Sequence, residues 1–231
     1  MQYEVILFDL DDTLYDFAKT EDFALRQAFR HFGMEDTEEL MGQYRDINRQ
    51  LWKELEQGLI YLDVLRVERF RRLLELREFS QELDAAEFSQ TYVGYLSEAS
   101  FLMEGAAETC NRLLDAGYRV AVITNGIREV QLGRISRSEL SGKFEQVIIS
   151  EDAGSQKPDP AIFDYAFEKL GHPDKSKVLI VGDSLTSDIY GGNQYGIDTC
   201  WFNPKQADNA SEARPDYEIR GLTELLELLK V

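Results

Sequence analysis

The sequence predicts an α/β protein in which a doubly wound, parallel core sheet is interrupted near its start by an inserted helical bundle. Three observations carry this expectation. The run Val5-Ile6-Leu7-Phe8 is apolar throughout and empties into Asp9-Leu10-Asp11-Asp12-Thr13. From residue 16 to about residue 100 the apolar pattern has helical periodicity and shows no convincing strand. After Glu104 short apolar runs alternate with helical segments, the order that builds a parallel sheet with helices on both faces.

The elements follow in order. An unbroken apolar run such as Val5 to Phe8 suits a parallel strand covered on both faces. In the insertion, Leu40, Tyr44, Ile47, Leu51 and Leu55 step at helical spacing, as do Val67, Phe70 and Leu74, and then Phe88, Tyr92 and Tyr95. Asp36 with Glu39 resembles a capping box at one helix start. Four helices in a small antiparallel bundle are expected. Further strands are expected at 119–123, 146–149, 178–181 and 199–202, with helices near 105–116, 127–138, 160–170 and 222–230. Right-handed crossovers bring the carboxyl ends of all these strands to one edge. The outcome is a Rossmann-like core from 1–15 and 101–231, with 16–100 inserted as a cap seated above that edge.

Composition narrows the function. The 231 residues hold 43 acidic against 25 basic side chains, a net charge of −18. Such a balance repels nucleic-acid backbone and anionic membrane surfaces, and no stretch approaches the ~18–20 apolar residues of a membrane span. No signal peptide is expected ahead of the first strand. Cys110 and Cys200 form no metal-type pair and suit a reducing, cytoplasmic setting. An anionic substrate therefore has to meet a locally positive site. Nothing in the sequence speaks to oligomeric state.

The chemistry-bearing residues lie at strand ends. Asp9 and Asp11 stand at the carboxyl end of the first strand, where open α/β sheets bind ligands. Two like charges a few Å apart cost about 4 kcal/mol at an effective dielectric of ~20, so the pair calls for a metal ion, a shared proton or a catalytic purpose. The second strand ends in Thr124-Asn125-Gly126, which suits an oxyanion held by side chain and backbone and equally suits a plain turn. Lys157, within Gln156-Lys157-Pro158-Asp159-Pro160, is either a point cation on a rigid loop or one more surface lysine. Asp183 follows the apolar run 178–181, and Asp188 lies five residues on. They fit oxygen ligands for Mg²⁺ or helix-capping acids, and Ser184 reads as a cap.

These four elements in this order resemble the haloacid-dehalogenase superfamily: Asp9-x-Asp11-x-Thr13, Thr124, Lys157, and Gly182-Asp183 with Asp188. The inserted helices resemble that family's type-one cap, the part that sets substrate specificity. The resemblance implies that Asp9 is the nucleophile, forming an aspartyl phosphate, and that Asp11 is the general acid and base. It implies that Thr124, Asn125 and Lys157 hold the phosphoryl oxygens. Mg²⁺ is expected on Asp9, the Asp11 backbone carbonyl and Asp183, with Asp188 ordering the site. Asp12 is expected to be a solvated bystander.

Leu51-Trp52, Phe163-Asp164-Tyr165-Ala166 and Asp198-Thr199-Cys200-Trp201-Phe202-Asn203 are similar to the pyrimidine 5′-nucleotidase branch. A phosphatase of nucleoside 5′-monophosphates is the expectation, with Trp52 as a stacking surface for the base or as an ordinary core residue. A phosphatase or phosphomutase of small sugar phosphates is the alternative. A phospho-accepting signalling module is disfavoured by the long insertion and by an acceptor on the first strand. His31 and His172 sit in no motif, and no Gly-rich nucleotide-cofactor string is present.

Overall fold

In the computed structural model, which describes residues 2–76 and 83–231, the strands are β1 (Val5–Phe8), β2 (Arg119–Thr124), β3 (Val147–Ile149), β4 (Val178–Gly182), β5 (Asp198–Phe202) and β6 (Tyr217–Ile219). They form one sheet in the order β3-β2-β1-β4-β5-β6, with every neighbouring pair parallel. The helices are α1 (Phe17–His31), α2 (Glu38–Glu56), α3 (Leu62–Leu76), α4 (Ala85–Glu98), α5 (Ala106–Asp115), α6 (Arg128–Arg137), α7 (Ser150–Ala153), α8 (Pro160–Lys169), α9 (Tyr190–Tyr195) and α10 (Glu224–Leu229). The chain divides into two compact units, Met1–Ala18 with Ser100–Val231, and Lys19–Ala99.

In the first unit β1 is central, paired on one side with β2 and on the other with β4. Its four residues are fully buried, as the apolar run requires. Alternation by two sends them to opposite faces. Ile6 and Phe8 join Val120, Val122, Leu179 and Val181 in a layer with Cys110 and Leu113 of α5 and Leu225 of α10. Val5 and Leu7 join Ala121, Ile123, Val178 and Ile180 in a layer with Ile162, Phe163 and Ala166 of α8. Helices therefore cover both faces, and strand order reverses beside β1, the position where doubly wound sheets bind ligands.

The second unit holds α1 from Lys19 onward and α2 to α4. Phe70 packs its ring 4.8 Å from Phe88 and 5.2 Å from both Tyr44 and Tyr92. Trp52 is half-buried beside Leu51, Leu55 and Leu65, which accounts for its helical spacing. Among the described residues, no helix is long and apolar enough to cross a membrane.

One expectation changes, and two elements were not foreseen. The residue that caps α2 is Thr37, whose hydroxyl accepts the Leu40 N–H at 3.2 Å. Asp36 instead pairs with Arg30, so the capping register is one residue later than the Asp36–Glu39 spacing suggested. The short edge strand β6, with only Ile219 buried, was not expected from the pattern. Residues 185–189 form a single π-helical turn that leads into α9.

Candidate active site

The register of the sheet assembles the acids. Phe8 lies opposite Val181, and the Asp9 N–H donates to the Val181 carbonyl at 2.9 Å. Asp9 therefore leaves β1 beside the Gly182-Asp183 exit of β4. The Asp183 backbone is held on both sides: its N–H donates to Thr13 Oγ1 at 3.1 Å, and its carbonyl accepts the Trp201 indole N–H at 2.9 Å. Asp188 comes from the π-helical turn and is fully buried. Its Oδ2 accepts the Ser184 N–H at 3.0 Å, while Ser184 caps the turn by accepting the Ser187 N–H. Only glycine fits at 182, because a Cβ there would lie 2.3 Å from the Asp188 carboxyl carbon. Carboxylate oxygens of Asp9, Asp183 and Asp188 all lie within 4.8 Å of one another.

Lys157 enters this cluster from the loop before α8. Its Nζ donates to Asp9 Oδ1 at 2.7 Å, Asp188 Oδ1 at 2.7 Å and the Ile123 carbonyl at 2.8 Å, which uses all three of its N–H donors. Asn125 holds the loop in place: its amide donates to the Lys157 carbonyl at 2.9 Å and accepts the Lys157 N–H at 2.8 Å. The Asn125 side chain is thus spent on positioning Lys157. Thr124 Oγ1 accepts from the Gly126 N–H and from Gln131, which leaves its O–H proton free to donate elsewhere.

Burial and like charge govern the electrostatics. Burial pushes the Asp9 carboxyl up to about 7, opposed by Lys157 and reinforced by Asp188 and Asp11. Burial, then Asp9 and Asp188, push Asp183 well above the ordinary carboxylate range. For Lys157, burial lowers the ammonium, but Asp188 and Asp9 outweigh it and hold the group raised. Among the described residues, no N–H or O–H donates to the Asp183 carboxylate. A half-buried acid without a donor, grouped with two buried carboxylates, fits a hard divalent cation with oxygen ligands. The Asp11 carboxylate lies outside this group.

Two residues that sequence reasoning missed hold Asp11. Gln131 Nε2 donates to Asp11 Oδ2 at 2.7 Å, and the Arg134 guanidinium bonds Asp11 Oδ1. Both come from α6, three residues apart on one face. Asp12 is also more engaged than expected. It adopts a left-handed backbone with φ of 59°, tolerable for Asp, and its Oδ1 accepts the Phe17 N–H at 3.2 Å.

Known proteins resemble this chain over most or all of its length. The family model of the haloacid dehalogenase-like hydrolases matches residues 3–196. The pyrimidine 5′-nucleotidase PynA of Streptococcus pneumoniae is 39% identical over 229 residues, 99% of this chain and 96% of that protein. The pyrimidine 5′-nucleotidase YjjG of Escherichia coli is 32% identical over 99% of both chains. The crystal structure of the HAD-hydrolase YfnB of Bacillus subtilis, bound to magnesium, matches with a TM-score of 0.92 at 38% identity, covering 100% of each chain.

Proposed function

The chain belongs to the haloacid dehalogenase-like hydrolase family, and on that premise we propose that it is a Mg²⁺-dependent phosphatase of nucleoside 5′-monophosphates, pyrimidine nucleotides foremost. The observation that carries the reading is the buried Asp9 carboxylate, 2.7 Å from the Lys157 ammonium and grouped with Asp183 and Asp188. A carboxylate at a strand end beside a cation is suited to attack an anionic phosphate ester, which a lone acid would repel. The nucleotide class is supported by the two relatives named as pyrimidine 5′-nucleotidases.

In this reading an Asp9 oxygen attacks phosphorus, and the bond from phosphorus to the ester oxygen breaks. Asp11 gives its proton to that oxygen, so the leaving group departs as an alcohol. Water then attacks phosphorus, its proton passes to the Asp11 carboxylate, and the bond to Asp9 breaks, restoring both side chains. The Thr124 hydroxyl would hold a phosphoryl oxygen, and the Lys157 ammonium would turn one of its three N–H groups from its present partners to another, with Asn125 keeping Lys157 in register. Asp9, Asp183 and the Asp11 backbone carbonyl would hold Mg²⁺, with Asp188 ordering them. When bound, the ion supplies positive charge against the phosphoryl oxygens. The magnesium-bound relative supports that choice of metal. The Lys19–Ala99 unit would serve as the cap that sets substrate specificity, and two buried free thiols fit a cytoplasmic setting.

The test is phosphate release with Mg²⁺ across ribo- and deoxynucleoside monophosphates and small sugar phosphates. The expected result is the highest kcat/KM for pyrimidine 5′-monophosphates. A preference for sugar phosphates would overturn the nucleotide assignment, and no turnover of any monophosphate would overturn the phosphatase.

A further inference from the structure

Arg134 is fully buried, yet Asp11 is its only carboxylate partner among the described residues. Its Nε and Nη1 are buried without any hydrogen-bond partner. The guanidinium carbon lies 5.0 Å from the Tyr15 ring centroid, a partial compensation through the face of the ring. A buried ion pair with unmet donors is a poor source of stability, since an apolar pair of similar volume usually serves better. Gln131 is equally buried and bridges three groups. Its amide N–H₂ donates to Asp11 Oδ2 at 2.7 Å and to Thr124 Oγ1 at 3.3 Å, while its Oε1 accepts from Arg134 at 2.5 Å. The chain makes room for that amide with glycine: a Cβ on Gly126 would sit 1.7 Å from Gln131 Nε2.

We propose that Gln131 and Arg134 are positioning residues of the reaction, fixing the Asp11 carboxylate through both of its oxygens and tying it through Gln131 to Thr124. The inference rests on the reading of Asp11 as the acid and base given above. Asp11 stands on a loop after a strand, with its side chain still 30% exposed, and among the described residues Gln131 and Arg134 are the side chains that hold its carboxylate. Each carboxylate oxygen keeps a second lone pair for the transferred proton. General acid catalysis needs hydrogen-bond reach, and a misplacement of about 1 Å costs ~10²-fold. The clamp also sets the acid in one frame with the hydroxyl assigned to the phosphoryl group.

The experiment measures kcat and KM of wild type, Asp11→Asn, Arg134→Met, Arg134→Lys and Gln131→Leu on phosphate esters ranging from nitrophenyl to alkyl. A misplaced acid hurts poor leaving groups most. The expected result is a loss in kcat of about 10–100-fold on alkyl phosphates, a loss of only a few-fold on nitrophenyl phosphate, little change in KM, and partial recovery in Arg134→Lys. A merely structural role would lower activity equally for every ester, and that outcome, or no loss at all, overturns the proposal. Should Arg134→Met fail to fold, Gln131→Leu and Gly126→Ala test the same clamp from the neutral side. The two readings fail separately. A wild type that hydrolyses no ester sinks the phosphatase. A wild type that does so, with Asp11→Asn selective for poor leaving groups and the Arg134 and Gln131 variants not, sinks the clamp alone.

Discussion

Lys157→Met removes one charge from the centre of the acidic cluster, and the structure says how much that should cost. The ammonium is 1% exposed and lies 2.7 Å from oxygens of both Asp9 and Asp188. Each contact is worth about 6 kcal/mol of gross attraction at an effective dielectric of ~20, offset by the loss of hydration that burial imposes on all three groups. Breaking a buried pair by deleting one partner typically costs about 3–5 kcal/mol net, because the remaining charges stay behind uncompensated. Methionine fills similar volume, so a cavity adds little. At ~2–4 °C per kcal/mol for a chain of this size, the midpoint of the core transition should fall by about 6–20 °C in EDTA at pH 8, followed by circular dichroism. The deficit should shrink at pH 6, as protons replace the missing cation on Asp9 and Asp183, and it should shrink on adding Mg²⁺. A midpoint within about 2 °C of wild type in EDTA, or a deficit that widens as pH falls, would refute the account of Lys157 as the counter-charge of the cluster.

Asp9→Asn keeps the size of the side chain and removes a like charge from the cluster, so turnover should vanish while the thermal midpoint in EDTA stays at or above wild type; appreciable residual phosphate release would end the nucleophile assignment. Gly182→Ala places a Cβ 2.3 Å from the anchored Asp188 carboxyl, and should cost about 1–3 kcal/mol of stability with a matching loss of Mg²⁺ affinity read by calorimetry; unchanged binding would mean that Asp188 moves freely. Asp9 rises from 3.8 to about 7 on folding without metal, so the folded state holds more protons between those values. From Asp9 alone the metal-free protein should then lose about 4 kcal/mol of stability as pH climbs from about 4 to 7, at 1.36 kcal/mol per unit. Asp183 pulls in the same direction. Mg²⁺ at 100 times its Kd should restore about 2.7 kcal/mol at pH 8, and a stability in EDTA that rises across that window would contradict the raised acids.

What the sequence made legible follows the sheet. Asp9 and Asp183 could be read because an unbroken apolar run has one use in an α/β protein, and the residue that ends it is delivered to the ligand edge. Lys157 could be read because two prolines, Pro158 and Pro160, follow it closely and stiffen its loop. The side chains that complete the site are of another kind. α6 carries Arg128, Arg134 and Arg137 with equal claim to solvent, and only the docking of the helix turns Arg134 inward over Tyr15 while Arg128 pairs outside with Asp152. Asn125 posed a similar ambiguity: an amide at a strand end serves an anion or a neighbouring backbone equally well, and the choice depends on the 157 loop, thirty-two residues later in the chain. Period and spacing encode where the backbone goes. Which way a polar side chain turns once it arrives depends on a partner distant in sequence. The one local trace of the Asp11 clamp was Gly126, where a glycine after Asn reads as a turn but is in fact the space into which the Gln131 amide fits. Glycines that neighbour a strand-end motif, yet have no positive φ to explain them, therefore mark where a second side chain enters the site; Gly182 and Gly126 both qualify.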